Sequence, residues 1–273
     1  MDIITIILLF LGGCVGGLLA GLLGVGGGLV FVIIFTNYLA SSGAPDITFA
    51  HLIVSNSMFA IFFAGISGSV KHYINGNFSW RPVLVTGSSA ALFSILTTVL
   101  INTGNWYSKE LFAFIFILLA GYMAYRILFM KEADTVEKGS EEFSVQKFLL
   151  IGSLGGILAA VSGVGGGIIM VPMLTKMLKI NIKKATAISL GVITIMSLVI
   201  SAYSFFASAE AIDLPHTYGL IILPMALPVV LGCVVCSPYG VMLARRIPAK
   251  TIQAIFAVFL LIVVSDMIYN LWL

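Results

Sequence analysis

A glycine-rich sequence suited to binding an anion through its backbone occurs twice in this chain. The motif GVGGG occupies residues 24–28 and again residues 163–167. Glycine lacks a Cβ, so it adopts positive φ and lets a ligand approach its backbone N–H. A helix restarting at Leu29 or at Ile168 presents free N–H groups and the positive end of its dipole, both of which favour an anion. We therefore interpret each motif as a helix break that faces a ligand.

The glycines upstream of each motif have a different interpretation. Gly13, Gly17 and Gly21 recur once per helical turn, as do Gly152 and Gly156 in the second copy. This spacing is typical of close helix packing in membranes. Three consecutive glycines serve packing poorly and destabilise a helix by about 1 kcal/mol each relative to alanine. The GVGGG motifs are therefore assigned to the ligand and the upstream glycines to packing.

Neutral hydrogen-bond donors follow each motif along the chain. Ser55 and Asn56 follow the first copy, and Ser189 follows the second. A site built from backbone N–H and hydroxyl groups suits a compact oxyanion better than Na⁺ or a bulky cation. The competing interpretation is structural, since single Ser residues in membrane helices usually bond their own backbone.

The composition identifies an integral membrane protein. Of the 273 residues, 60% are hydrophobic and 9% are charged, whereas soluble domains carry about 25% charged residues. Continuous apolar stretches, without the alternation of a β-barrel strand, predict an all-α polytopic fold. These stretches contain no paired carboxylates, HExxH motif or His/Cys cluster, so we predict neither an enzyme nor a bound metal or cofactor.

Three cysteines lie in apolar surroundings. Cys233 and Cys236 form a C-x-x-C sequence, but no thioredoxin-like βαβ pattern surrounds it. We predict that both, like Cys14, serve helix packing, with a redox or metal site as the alternative.

The chain contains an internal duplication. Residues 17–32 align with residues 156–171 at a shift of 139, with nine identities in sixteen positions, and a second alignment at a shift of 134 pairs Ser55 with Ser189. Cytoplasmic loops carry the excess of Lys and Arg, and thirteen of the fourteen basic residues fall in loops that can share that side. Corresponding loops of the two copies then face opposite sides, which predicts two repeats of inverted topology.

Each repeat is predicted to be a glycine-broken helical hairpin plus three transmembrane helices. The first repeat fills residues 1–130, with the hairpin at 3–40 and spans at 50–71, 82–101 and 109–130. The second fills residues 147–273, with the hairpin at 147–178 and spans at 184–208, 217–244 and 250–271. The charged run at 131–146 is predicted to be a cytoplasmic linker, and the two repeats form one membrane domain.

The charge distribution also predicts location and partners. We expect a multi-pass protein of the plasma (inner) membrane, with the N- and C-termini extracytoplasmic and the central linker cytoplasmic. The expected partners are a small anionic substrate, the lipid bilayer, protons as a coupling ion and a second copy in a homodimer. The net charge of +3 comes from basic loops and indicates no nucleic acid.

The second motif resembles a known family signature. GVGGGIIMVPML (163–174) followed by ATAISL (185–190) is similar to the signature of the sulfite exporter TauE/SafE family of membrane permeases, and the resemblance extends over nearly the whole chain. It implies a secondary transporter of small sulfur-containing anions such as sulfite, sulfonate, sulfoacetate or thiosulfate. The positions matching the family motif are Gly24, Gly26, Gly27 and Gly28 in the first copy, Gly163, Gly165, Gly166 and Gly167 in the second, and Ser189 with its partner Ser55. The first copy departs from the pattern at Ile33, where the second has Pro172.

The leading hypothesis is a carrier that holds the anion between the two broken helices and works by alternating access. A carrier for another small solute, such as an organic acid or amino acid, would use Asn56 as an extra recognition group. A non-transporting scaffold would use the glycines only for packing. Gly166→Ala is expected to spare folding and abolish binding in a carrier, and to impair assembly in a scaffold.

Overall fold

The computed structural model describes residues 2–41, 46–104, 106–129, 143–207 and 216–244, together with positions 246 and 265. Within these residues the chain forms α-helices and one two-stranded antiparallel hairpin. The helices are α1 (Ile3–Leu23), α2 (Gly28–Ser41), α3 (Asp46–Ile74), α4 (Trp80–Thr103), α5 (Lys109–Phe129), α6 (Val145–Ser162), α7 (Gly167–Met177), α8 (Ile182–Phe206) and α9 (Leu223–Leu243). The strands β1 (Thr217–Tyr218) and β2 (Ile221–Ile222) lie between α8 and α9.

The helices follow the predicted elements with one difference. Both predicted hairpins break at GVGGG, and three further helices follow the first of them. Residues 217–222, predicted to begin a span, instead form β1 and β2, because Gly219 turns the chain at φ 58° and Pro224 suits the first turn of a helix. The predicted span 250–271 and most of the linker lie outside the described residues.

Helix length and burial define a multi-pass membrane protein. In the described part of the chain, α1, α3, α4, α6, α8 and α9 are long and apolar enough to cross a membrane. Helices α2 and α7 have 14 and 11 residues, fewer than the roughly 20 that a full span takes. The buried share of the apolar stretch is 72% in α3 and 72% in α8, but 28% in α1. Helices α3 and α8 therefore form the centre of the bundle.

The two repeats exchange their outer helix contacts. Helix α1 of the first repeat packs mainly on α9 of the second, and α6 of the second packs mainly on α4 of the first. A Cβ on Gly17 would lie 2.6 Å from the Cα of Cys233, and a Cβ on Gly156 would lie 2.3 Å from the carbonyl oxygen of Ala90. Helices approach this closely only where a side chain is missing. The packing role predicted for the upstream glycines is confirmed.

The order of contacts gives the relative directions of the central helices. Gly65 of α3 lies against Thr194 of α8, and Gly68, further along α3, lies against the earlier residue Leu190. Helices α3 and α8 are therefore antiparallel. Helices α3 and α8 occupy corresponding places in the two repeats, and inverted topology would require such corresponding helices to be antiparallel.

The glycine contacts give the first testable prediction. Gly156→Ala is expected to lower the free energy of unfolding by about 1–3 kcal/mol, because its Cβ overpacks the contact with α4. Gly121→Ala in α5 is the control: its Cβ meets nothing within 4 Å, and alanine favours the helix by about 1 kcal/mol. The measurement is the thermal unfolding midpoint of both variants in detergent. Equal midpoints would contradict the packing.

Candidate functional site

The two GVGGG loops lie against each other in the buried centre of the bundle. All residues of both motifs are buried. A Cβ on Gly28 would lie 2.6 Å from the carbonyl oxygen of Val164, and a Cβ on Gly167 would lie 2.7 Å from the carbonyl oxygen of Gly24. The structure thus brings together the two glycine motifs, which are 139 residues apart in the sequence.

Both loops have the same backbone conformation, which requires glycine. In the first loop Gly24, Gly26 and Gly27 have φ of 68°, 87° and 74°. The matching positions of the second loop have φ of 69°, 92° and 67°. Side chains with a Cβ rarely adopt this left-handed region. The same sequence therefore builds the same helix break twice.

The geometry of Gly166 corrects one expectation from the sequence. Gly166 has φ 67°, and a Cβ there would lie 2.3 Å from the carbonyl oxygen of Gly155 in α6. Gly166→Ala is therefore expected to disturb folding rather than spare it. Gly165 is less crowded, because its nearest neighbour, the carbonyl oxygen of Val25, would lie 3.3 Å from the added Cβ.

Backbone donors remain available where the helices restart. In α2 two N–H groups donate to the carbonyl oxygen of Gly27, and in α7 two N–H groups donate to that of Gly166. The N–H groups of Leu29 and Ile168, one position earlier, have no acceptor among the residues that the structure describes. These donors lie at the positive ends of two helix dipoles, an arrangement that favours a negative charge.

Two serines hold the loops from the central helices. The hydroxyl of Ser57 in α3 donates to the carbonyl oxygen of Gly163 at 2.7 Å, and the hydroxyl of Ser189 in α8 donates to that of Gly24 at 2.8 Å. Each serine reaches the loop of the other repeat. Because the hydroxyl protons are donated to the loops, both serines support the loop backbone in this conformation.

This symmetry pairs Ser189 with Ser57 and differs from the sequence alignment, which pairs it with Ser55. The loop contacts agree with the structural pairing, since Gly163 lies against Val54 as Gly24 lies against Thr186. Ser55 is buried in the same helix.

Asn56 makes three hydrogen bonds away from the glycine loops. Its amide NH₂ donates to the carbonyl oxygens of Leu52 at 2.8 Å and Leu220 at 3.0 Å, and its Oδ1 accepts from the N–H of Ile222 at 2.9 Å. The side chain therefore fastens the β1–β2 hairpin to α3. With both amide hydrogens donated, Asn56 offers no donor to a solute in this conformation.

Two isoleucines form an apolar wall beside the loops. Ile61 and Ile193 are fully buried, and both lie near the Cβ positions of Gly26 and Gly165. As apolar residues in apolar helices, they do not stand out in the sequence. The signal that could have identified them is their position, since each comes one helical turn after the serine that holds a loop. An apolar wall excludes water and so strengthens the electrostatic effect of nearby N–H groups.

Tyr107, which the sequence interpretation did not include, holds the end of α6 just before the second loop. Its phenol donates to the carbonyl oxygen of Val161. Its ring lies edge-on to the ring of His51, with 5.5 Å between the ring centroids. Burial raises the pKa of the Tyr107 phenol well above its ordinary value. The phenol therefore stays protonated and remains a donor at physiological pH.

The described residues contain no group of three or more His, Cys, Asp or Glu side chains placed to hold a metal ion. The three cysteines are free thiols. Cys233 is buried, and its single S–H is shared between the carbonyl oxygens of Val230 at 3.2 Å and Ala60 at 3.5 Å. Its contacts are those of a packed core side chain.

Comparisons with known proteins agree with a transport function. A family model described as "Sulfite exporter TauE/SafE" matches residues 9–267. A probable membrane transporter protein of Methanocaldococcus jannaschii is 29% identical over 250 residues, which cover 90% of this chain and 89% of the relative. A probable membrane transporter protein of Haemophilus influenzae is 28% identical over 268 residues, covering 96% and 97%. No solved structure matches the chain.

The serine contacts give the second prediction. Ser57→Ala and Ser189→Ala are each expected to lower the free energy of unfolding by about 1–3 kcal/mol, because each leaves a buried loop carbonyl unpaired. The control is Ser153→Ala on α6, whose exposed hydroxyl bonds only within its own helix. Thermal unfolding midpoints in detergent provide the comparison. Midpoints of the two site variants equal to that of the control would show that the serines do not support the loops.

Proposed function

Because the chain belongs to the sulfite exporter TauE/SafE family and is therefore a membrane transporter, we propose that it is a secondary carrier of small sulfur-containing anions. Sulfite, sulfonate, sulfoacetate and thiosulfate are the candidate substrates. The observation that carries the proposal is the pair of buried helix breaks, whose restarting helices leave the N–H groups of Leu29 and Ile168 without acceptors. The family assignment supports transport, and we propose no enzymatic activity for the chain.

The surroundings of the loops favour a compact anion. The nearest described side chains to Gly26 and Gly165 are the apolar Ile61 and Ile193, so recognition falls to the backbone N–H groups and to the helix dipoles. Backbone donors bind oxyanions without a basic side chain. The loops also lie close together, which favours a substrate of few atoms.

The two halves offer a physical basis for alternating access. Inverted repeats place one site at the interface of two related units, and rocking of these units exposes it to either side. We propose that residues 1–130 and 147–273 are such inverted repeats, with helices of both repeats in each of the units that move. The antiparallel course of α3 and α8 and the crossed serine bonds support it.

The proposal includes an orientation and a location. The basic ends of α3 and α4, at Lys71 and Arg81, would face the cytoplasm together with the linker 131–146, and both termini would be extracytoplasmic. The plasma (inner) membrane, coupling to protons and a homodimer belong to the same proposal.

The experiment that tests the proposed substrate class is a ligand panel on the detergent-purified protein. The thermal unfolding midpoint is measured with sulfite, thiosulfate, sulfonates, sulfate, carboxylates and amino acids at constant ionic strength. A ligand that binds only the folded state raises the midpoint by mass action. We expect a selective rise with a sulfur oxyanion, followed by flux of that anion into proteoliposomes.

Other outcomes would replace the proposal. A rise with carboxylates or amino acids alone would keep the carrier and remove the sulfur anions. No rise and no flux with any solute would favour a non-transporting scaffold.

The third prediction locates the anion at the loops. Gly165→Ala and Gly76→Ala both place a Cβ at positive φ, with φ of 92° and 73°, and each is expected to cost about 1–2 kcal/mol. A Cβ on Gly76 meets nothing within 4 Å, whereas one on Gly165 projects between Val25 and the two isoleucines. Gly165→Ala is expected to lose the anion-dependent rise in midpoint, and Gly76→Ala to keep it. A rise that survives in Gly165→Ala would place the anion elsewhere.

A further inference from the structure

A groove of about 350 Å³ runs along the outside of the bundle between α3 and α9, away from the glycine loops. Its α3 wall faces outward, with Val70 52% and Ile74 69% exposed. The residues that matter for its chemistry are Phe63, Ile66, Val70, Lys71 and Ile74 of α3 and Pro238 of α9. The groove is apolar along its length and carries one cation, Lys71.

The carbonyl oxygen of Val234 beneath the groove is paired with a side chain of α3. Pro238 has no N–H, so the carbonyl oxygen of Val234, four residues earlier in α9, loses its helical partner. The hydroxyl of Ser67 donates to this oxygen at 2.7 Å. The bond joins α3 to α9 and leaves apolar side chains to line the groove.

The length of the groove matches one leaflet of a bilayer. Phe63 to Ile74 covers roughly 16 Å of helix at about 1.5 Å per residue, about half of a hydrocarbon core of about 30 Å. Tyr73 and Trp80, 60% and 59% exposed, lie at the same end of the groove. Exposed Tyr and Trp mark the membrane interface, so Lys71 lies at the level of the lipid headgroups.

Lys71 is not neutralised by the acidic residues that the structure describes. The acidic side chains that it describes are those of Asp2 and Glu110. Gly21, near the end of α1, and Gly68 of α3 both lie against Ser237, so Asp2 is at the opposite end of α1 from Lys71. Glu110 is in the first turn of α5, beyond the far end of α4. A cation at the interface beside an apolar groove is complementary to an anionic headgroup with an acyl chain.

We infer that the groove between α3 and α9 binds an anionic phospholipid, with one acyl chain along the apolar wall and the headgroup phosphate on Lys71. The site goes beyond the proposed transport function and does not depend on it. Headgroup contact with a basic side chain at an anionic membrane surface is worth about a fivefold change in affinity per residue. Zwitterionic lipids fill the same groove without this preference.

The test is binding of phosphatidylglycerol and phosphatidylcholine to the detergent-purified full chain, counted by native mass spectrometry over a lipid titration. Wild type is expected to bind phosphatidylglycerol more tightly than phosphatidylcholine, and added salt is expected to reduce the difference. Lys71→Gln is expected to weaken phosphatidylglycerol binding about fivefold. The control is Lys176→Gln, which changes an exposed basic residue in the last turn of α7. This variant is expected to leave phosphatidylglycerol binding unchanged.

Three results of the lipid titration would overturn the inference. They are equal affinity for the two lipids in wild type, an unchanged preference in Lys71→Gln, or equal losses in Lys71→Gln and Lys176→Gln. A groove occupied by a second copy of the chain would also exclude the lipid. Val70→Cys would then form an oxidised dimer that wild type, with its three native cysteines, does not form.

Discussion

The unwound backbone of the two glycine loops is the constraint on which this architecture depends. In the hydrocarbon layer an irregular backbone is tolerated only where it is buried in protein or lines a cavity. The chain meets this requirement by placing each break against the other and by supplying one serine to each loop. Helices α3 and α8 must then lie in the centre, because they carry these serines, and the remaining long helices pack around them.

The symmetric centre is joined to an asymmetric periphery. Between α3 and α4 the chain turns within residues 75–79, whereas between α8 and α9 it includes the β1–β2 hairpin. Asn56 binds this hairpin through two of its three hydrogen bonds, directly beside Ser57, which binds a loop. One turn of α3 therefore connects the hairpin with the second glycine break. Any movement of that break must either carry the hairpin along or exchange bonds within this turn.

The sequence predicted the parts of this structure that depend on backbone conformation. The GVGGG breaks and the spans within the described residues follow from glycine content and apolar length. The sequence did not predict which side chains meet. Lipid-facing and core-facing sides of these helices are both apolar, so hydropathy contains no period that orients a helix. For this reason the alignment paired Ser55 with Ser189, two residues away from Ser57, and Asn56 was assigned to a solute rather than to the β1–β2 hairpin.

The exchanged contacts divide the protein differently from its sequence repeats. Helices α1, α3 and α9 pack together, as do α4, α6 and α8, so each group contains helices of both repeats, and α3 of the first group packs on α8 of the second about as extensively as on α9. Glycines bring α1 close to α9 and α4 close to α6, since an added Cβ there would lie 2.2–2.6 Å from the nearest backbone atom. The boundary between the groups runs along α3 and α8 and passes the loops and the wall of Ile61 and Ile193. Alternating access by rocking would therefore move these two mixed groups against each other, and the serine bonds that cross the boundary are the interactions that such a motion must preserve or replace.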